Sequence, residues 1–295
     1  MRNRKARLAT MAGAVALVTG LAVPAYAQVP TQTTASTVAS TAAAPRVHGR
    51  AAYLMDASSG QVLYSKNATE RMPVASLTKT MTAYVVLKTA KPTDLVRIRA
   101  ADVDYAVNGG GTTADLRPGD RIPVGELLYG LLLPSGADAA HALARTYGPG
   151  VKGFVAKMNQ TARSLGMNDT QYVNADGLPT PDGDGYSTAK DQSVLATAAL
   201  KNPLIKAATS AQDHSLDANG DHRSYDWHST NHLLGDPGVI GLKTGYTRAA
   251  GYCLAYAADQ DGHRLIGVLL GESDSSRRFS TAESLLSWGQ TRLAA

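Results

Sequence analysis

Short apolar runs bounded by turn signals lie at both ends of the chain, and helical spacings fill its middle. Ala51 to Met55 and Gln61 to Tyr64 flank Asp56-Ala57-Ser58-Ser59-Gly60, a hairpin signal with a Gly-containing turn. Ala75 to Ala90 follows Pro73, lacks Gly and Pro, and predicts a helix. Asn108-Gly109-Gly110-Gly111 predicts a loop. Val124 to Leu133 and Ala137 to Thr146 predict short helices broken at Pro134-Ser135-Gly136. Val151 to Leu165 gives the clearest helical stripe, with Val151, Phe154, Val155, Met158, Ala162 and Leu165 on one face and Gly166 placed to cap it. Asn174 to Gly185 is rich in Gly and Pro and predicts a long loop, followed by a helix over Thr188 to Leu200. The last third changes character. Val239 to Leu242 is apolar and leads into Lys243-Thr244-Gly245. Gly251 to Ala258 and Leu265 to Leu270 are strand-like, with Asp259-Gln260-Asp261-Gly262 as their turn, and Ser280 to Leu293 predicts a closing helix. The order hairpin, helices, hairpin, helix predicts the α+β class. Its antiparallel sheet is built from both chain ends, with flanking helices and a mostly helical middle region.

Charge sharpens the domain boundaries. The formal net charge of the 295-residue chain is +5, which invites a nucleic-acid or membrane-surface reading. But Arg2, Arg4, Lys5 and Arg7 precede the uncharged run Leu8 to Val23 and Ala25-Tyr26-Ala27, and no acid occurs before Asp56. A basic start, a short apolar run and an Ala-x-Ala site make a secretory signal peptide over 1–27. The apolar run is short for a membrane span, and no later run reaches that length, so no membrane anchor is expected after cleavage. Gln28 offers no lipid-bearing cysteine. Without those four cations, the basic residues that remain of 29 nearly balance 24 acids, so no basic footprint points to nucleic acid. Residues 28–46 read as a flexible Thr/Ala/Ser-rich leader, and 47–295 as the folded catalytic domain. The one cysteine, Cys253, forms no internal disulfide and reads as a small buried hydrophobe.

Three short segments carry chemistry. In Ser76-Leu77-Thr78-Lys79, positions i and i+3 of a helix share a face, so the Ser76 hydroxyl and the Lys79 amine meet. A serine becomes a nucleophile when a base takes its proton, and a lysine serves as that base once burial or a second cation lowers its pKa. Ser135 sits in the helix break Pro134-Ser135-Gly136-Ala137. Lys243 and Thr244 end an apolar strand beside Gly245, whose missing side chain permits close approach, and suit a substrate carboxylate. Singly, each is weak: a chance pair, a turn serine, a solvated lysine. In this order they correspond to the Ser-x-x-Lys, Ser-Asp-Asn and Lys-Thr-Gly signature of penicillin-recognising enzymes.

From about Val47 onward the chain resembles the serine D-alanyl-D-alanine carboxypeptidases, the low-molecular-mass penicillin-binding proteins. The resemblance extends over Pro73 to Ala83, Leu131 to Ala140, Asn174-Ala175-Asp176-Gly177-Leu178, Tyr186-Ser187-Thr188-Ala189 and Gly241 to Thr247. It implies an acyl-enzyme on Ser76, with Lys79 as base and Ser135 passing the proton towards the leaving amine. Lys243 and Thr244 would hold the terminal carboxylate beside Gly245. The Lys243 charge would help keep Lys79 neutral, and the backbone N–H groups of Ser76 and Tyr246 would form the oxyanion hole. It further implies peptidoglycan stem peptides ending in D-Ala-D-Ala as substrates and β-lactams as inhibitors. No cofactor and no metal are needed, and the enzyme would work on the cell-wall side of the membrane. Two departures stand out. Ala137 occupies the place where the family's second motif usually ends in Asn, which weakens the expectation of strong hydrolysis. The usual appended β-rich domain and membrane-binding helix are not expected, for few residues follow the closing helix.

Rival readings fare less well. A class A β-lactamase uses a glutamate to activate the deacylating water, and no Glu lies between Ser135 and Lys243. His228 and His232 have the four-residue spacing of two zinc ligands on a helix but lack the Glu of H-E-x-x-H. Asp217-Ala218-Asn219-Gly220-Asp221 has calcium-loop composition with its Gly misplaced, and a hairpin turn accounts for it better. A non-catalytic penicillin- or cell-wall-binding relative is the alternative that Ala137 favours.

Overall fold

The computed structural model describes residues 43–294. The predicted signal peptide, and the leader as far as residue 42, lie outside the described residues. From the first described strand, the elements run β1 (Ala51–Asp56), β2 (Val62–Lys66), α1 (Thr78–Val86), β3 (Leu95–Arg97), α2 (Ala100–Asn108), β4 (Arg121–Pro123), α3 (Val124–Leu132) and α4 (Ala137–Tyr147). There follow α5 (Gly150–Ser164), α6 (Ala189–Ala199), α7 (Pro203–Ser210), β5 (Asp213–Leu216), β6 (Tyr225–His228), β7 (Val239–Thr247), β8 (Gly251–Gln260), β9 (His263–Glu272) and α8 (Arg277–Leu293).

Five strands form one antiparallel sheet in the order β2-β1-β9-β8-β7. The first strand therefore pairs with the last, Tyr53 opposite Val268. Both faces of the three central strands are buried, so their sequences read as nearly unbroken apolar runs rather than alternation. Ala51, Tyr53, Cys253, Ala255, Ala257, Ile266 and Val268 pack on one face with Ala189, Ala196 and Leu200 of the α6 region. Leu54, Leu254, Tyr256, Leu265 and Leu269 pack on the other with Phe279, Ala282 and Leu285 of α8. Tyr256 lies opposite Gly267, where a Cβ would fall 2.0 Å from the tyrosine ring; the glycine makes room for the ring. A third, larger core joins α1, α3, α4, α5 and α7 through residues such as Met81, Leu127, Leu131, Leu143, Phe154 and Met158. Among the described residues, no helix is long and apolar enough to cross a membrane.

Several boundaries move. The expected Ala75–Ala90 helix is a 3₁₀ turn over Ala75–Leu77, then α1, then successive turns to Ala90. The β8–β9 turn shrinks to Asp261-Gly262, both at positive φ (48° and 81°). Asp259 and Gln260 stay in the ladder opposite Arg264 and His263, because a two-residue turn of that kind matches strand twist. Asp217 to Asp221 lies in the connection of the β5–β6 hairpin. The hairpin turn read at that segment is thus present, whereas the β5 and β6 strands themselves, the β3–β4 pair and helices α2 and α7 were not expected from the sequence.

Candidate active site

The turn that carries Ser76 is built where three elements converge. Ala75 adopts a positive φ of 49°, a conformation that costs a non-glycine residue energy unless its surroundings hold it. Two glycines supply that hold. A Cβ on Gly177 would fall 1.9 Å from the Ala75 carbonyl oxygen, and one on Gly245 would fall 3.1 Å from the Ser76 nitrogen. The 174–178 loop and strand β7 thus press against the turn from two sides. Ser76 stands half-buried at the head of α1, where free N–H groups and the helix dipole favour negative charge.

Lys79 is 1% exposed. Its Nζ lies 3.0 Å from Ser76 Oγ and donates to the Asp176 carbonyl oxygen at 3.0 Å. Burial lowers its pKa to about 8, against the opposing pull of Asp176 and Asp138. Ser135, at φ 69°, occupies the expected break between α3 and α4. Its carbonyl accepts from Thr112 Oγ1 at 2.7 Å, whereas its own hydroxyl is buried with no partner. An orphaned hydroxyl is costly, and Ser135 borders the same cleft as Ser76 and Lys79. Below it, the Asp138 carboxylate accepts from the backbone N–H groups of Ala114, Leu116 and Ala139, which fixes the break.

Opposite stands β7, the free edge of the sheet. Thr244, Gly245 and Tyr246 line a cleft of about 280 Å³ that also holds Ser76, Lys79, Ser135, Thr230 and Arg278. Thr244 and Thr230 join hydroxyls at 2.6 Å. Tyr246 is 54% exposed and stacks on Tyr252 at 4.4 Å. Lys243 lies behind this wall rather than on it: it is 1% exposed, and its Nζ donates to the Thr244 carbonyl at 3.1 Å. Burial first, then the charges of Lys79 and Arg278, push it well below the ordinary lysine range. The expected direction is thus reversed: burial alone lowers Lys79, and the Lys79 charge acts on Lys243.

Arg278, from α8, was not singled out in the sequence. It is buried against Tyr252 and Phe279 and donates to the carbonyls of Gly245 and Cys253. Its Nε is buried without a partner. Nothing local separates it from its neighbour Arg277, and only the packing of α8 against β8 brings it to the cleft. Ala137 is fully buried at the start of α4, close to where a Cβ on Gly111 would lie (3.0 Å). His228 and His232 do not share a helix. His228 ends β6 and bonds Asp213, while His232 stacks on Phe279. Among the described residues, no group of three His, Cys, Asp or Glu side chains is placed to hold a metal ion.

The profile of the D-alanyl-D-alanine carboxypeptidase family matches residues 38–274. The chain belongs to that family. It is 36% identical over 270 residues to the D-alanyl-D-alanine carboxypeptidase of Streptomyces sp. (strain K15), covering 87% of this chain and 92% of the relative. It is 34% identical over 241 residues to DacF, a D-alanyl-D-alanine carboxypeptidase of Bacillus subtilis (strain 168), where it spans 61% of the relative's length. The crystal structure of the Streptomyces K15 DD-transpeptidase superposes with a TM-score of 0.80 at 35% identity, over 84% of this chain and 99% of that one. The D-alanyl-D-alanine carboxypeptidase structure from Mycobacterium tuberculosis H37Rv gives 0.78 at 32% identity, over 85% and 94%. With these neighbours the α+β architecture is that of the family.

Proposed function

We propose that the protein is a serine D-alanyl-D-alanine carboxypeptidase that cleaves the terminal D-alanine from peptidoglycan stem peptides and is acylated by β-lactams. The observation that carries this reading is the buried Lys79 amine 3.0 Å from the Ser76 hydroxyl at the floor of an open cleft. Neutral Lys79 takes the Ser76 proton as Oγ bonds to the penultimate D-Ala carbonyl carbon. Negative charge on the carbonyl oxygen is met by the N–H groups of Ser76 and Tyr246. The proton then passes through Ser135, a route supported by its unpaired hydroxyl beside the cleft, to the leaving D-alanine nitrogen, and the C–N bond breaks. Water releases the acyl group and restores Ser76.

Thr244 and Arg278 line the cleft and would meet the terminal carboxylate there. Lys243 supports them from behind, and the arriving carboxylate supplies the counter-charge that favours its protonation. An amine in place of water gives transpeptidation, a reading supported by the likeness to the Streptomyces K15 DD-transpeptidase. The signal-peptide pattern of residues 1–27 supports action outside the cytoplasm, and Gln28 as the N-terminus of secreted protein is the outcome that tests it.

The purified protein should release D-alanine from a peptide ending in D-Ala-D-Ala and yield a transfer product when an amine is added. Neither product appearing overturns the enzyme reading. Intact-mass measurement should show a long-lived penicilloyl adduct; rapid turnover of the β-lactam would favour the β-lactamase alternative.

A further inference from the structure

We propose that the Asp176 carboxylate is a positioning residue that keeps Lys79 basic enough to deprotonate Ser76. The inference rests on the Ser76–Lys79 reading above and extends it to a residue with no assigned role. Asp176 presents two faces to the site. Its carbonyl oxygen accepts from Lys79 Nζ at 3.0 Å. Its carboxylate is buried in the same loop and accepts from the Leu178 N–H at 2.8 Å.

The loop is fastened so that neither face drifts. Asn174 Oδ1 accepts from the Gly177 N–H at 2.7 Å, and its amide donates to the Leu178 carbonyl at 2.7 Å. Thr82 of α1 donates to the Ala175 carbonyl at 2.6 Å. Gly177, at φ 83°, lets the loop lie directly on the Ala75 carbonyl. From the far side, Tyr105 of α2 brings its hydroxyl to the carboxylate, which together with burial pushes the phenol upward. The Tyr105 ring stacks on His141 at 4.5 Å. His141 and Arg145 of α4 both bind Asp102 at the start of α2, at 2.7 and 2.8 Å. Two helices and a cross-bonded loop therefore fix one carboxylate whose partners, the Leu178 N–H and the Tyr105 hydroxyl, are neutral.

Several groups act on Lys79. Asp176 approaches from the loop and Asp138 from α4, with the Ser76 and Ser135 hydroxyls beside them; Lys243 of β7, itself pushed well below the ordinary lysine range, lies behind. Asp138 is occupied by three backbone N–H groups. Asp176 is the larger of the two attractions opposing burial. A buried lysine with no such partner falls several units and becomes a poor base; general-base efficiency is best when the pKa lies near the working pH.

The test is the pH profile of kcat/KM for D-alanine release, with the rate of penicillin acylation as a second readout. Only neutral Lys79 accepts a proton, so the wild-type rate should rise with pH through about 8. Asp176→Asn and Asp176→Ser keep an acceptor for the Leu178 N–H but remove the charge. Both should move the acid limb down by about one pH unit. Asp176→Glu restores the charge and should return the limb towards the wild-type position, even if kcat falls. The two neutral variants differ in size, so loss of folding in one leaves the other as the test. Neutral variants with an unmoved limb, or a Glu variant shifted as far as they are, would overturn the proposal. A wild-type protein that neither releases D-alanine nor takes up penicillin would instead overturn the reading beneath it.

Discussion

The two walls of the cleft are built on opposite plans. The helical wall places Ser76 and Ser135 at breaks in regular structure, with Ala75 at φ 49° and Ser135 at φ 69°, and Lys79 in the first turn of α1. The strand wall presents Thr244 to Tyr246 from the regular part of β7, past the register shift between Val239 and Gly241. Reacting groups need orientations that a regular element does not supply, and the surrounding loops and glycines hold them there. Recognition of an extended peptide needs only a straight edge with free backbone groups and a positive charge behind it.

That contrast can be broken from either side, and the damage should differ in kind. Ser76→Ala, on the helical wall, should abolish D-alanine release and covalent penicillin labelling together, with a loss of at least about a thousandfold in kcat. Retention of labelling would place the nucleophile elsewhere. Gly177→Ala is next. Its Cβ would collide with the Ala75 carbonyl, so the turn must move, and kcat should fall by about a hundredfold while KM changes little. A rise confined to KM would show that the loop serves binding instead. Thr244→Val, on the strand wall, removes one hydroxyl from the Thr230–Thr244 pair and keeps the shape. It should raise KM for D-Ala-D-Ala peptides by about tenfold, the worth of one hydrogen bond to a charged group, and leave kcat nearly intact. A fall in kcat alone would contradict the assignment of β7 to recognition.

How legible these walls were in the sequence follows the same division. Long periodic segments with clear punctuation could be read directly. The α5 stripe was visible because Phe154, Met158 and Ala162 recur at helical spacing and are buried. The strands β8 and β9 were visible because both of their faces are apolar. The missed elements are short or nearly all polar on the outside. Helix α2 buries only Asp102 and Ala106, so no apolar stripe exists to be seen, yet it delivers Tyr105. The strands β5 and β6 alternate over just four residues each, so only their connecting turn at Asp217 to Asp221 was legible. Helix α7 did carry a readable signal, Asn202 as N-cap followed by Pro203, which the apolar pattern alone did not reveal.

Among site residues, Ser76, Lys79 and Ser135 were found by spacing and context. Arg278 and the Asp176 carboxylate were not, because what distinguishes them is burial beside groups far away in the chain. Lys243 was found, but its retreat behind Thr244 depends on how β7 packs, which spacing does not encode.

The pairing of β1 with β9 has a consequence in time. The serine, the lysine and the loop that steadies them are all complete before β7 is made, but they face nothing until the final third of the chain arrives. Contacts between such distant positions close slowly, since the intervening chain must first be ordered. Reactivity towards a β-lactam should therefore emerge only at the end of folding. The rate at which refolding protein gains the ability to be labelled thus clocks the closing of the sheet.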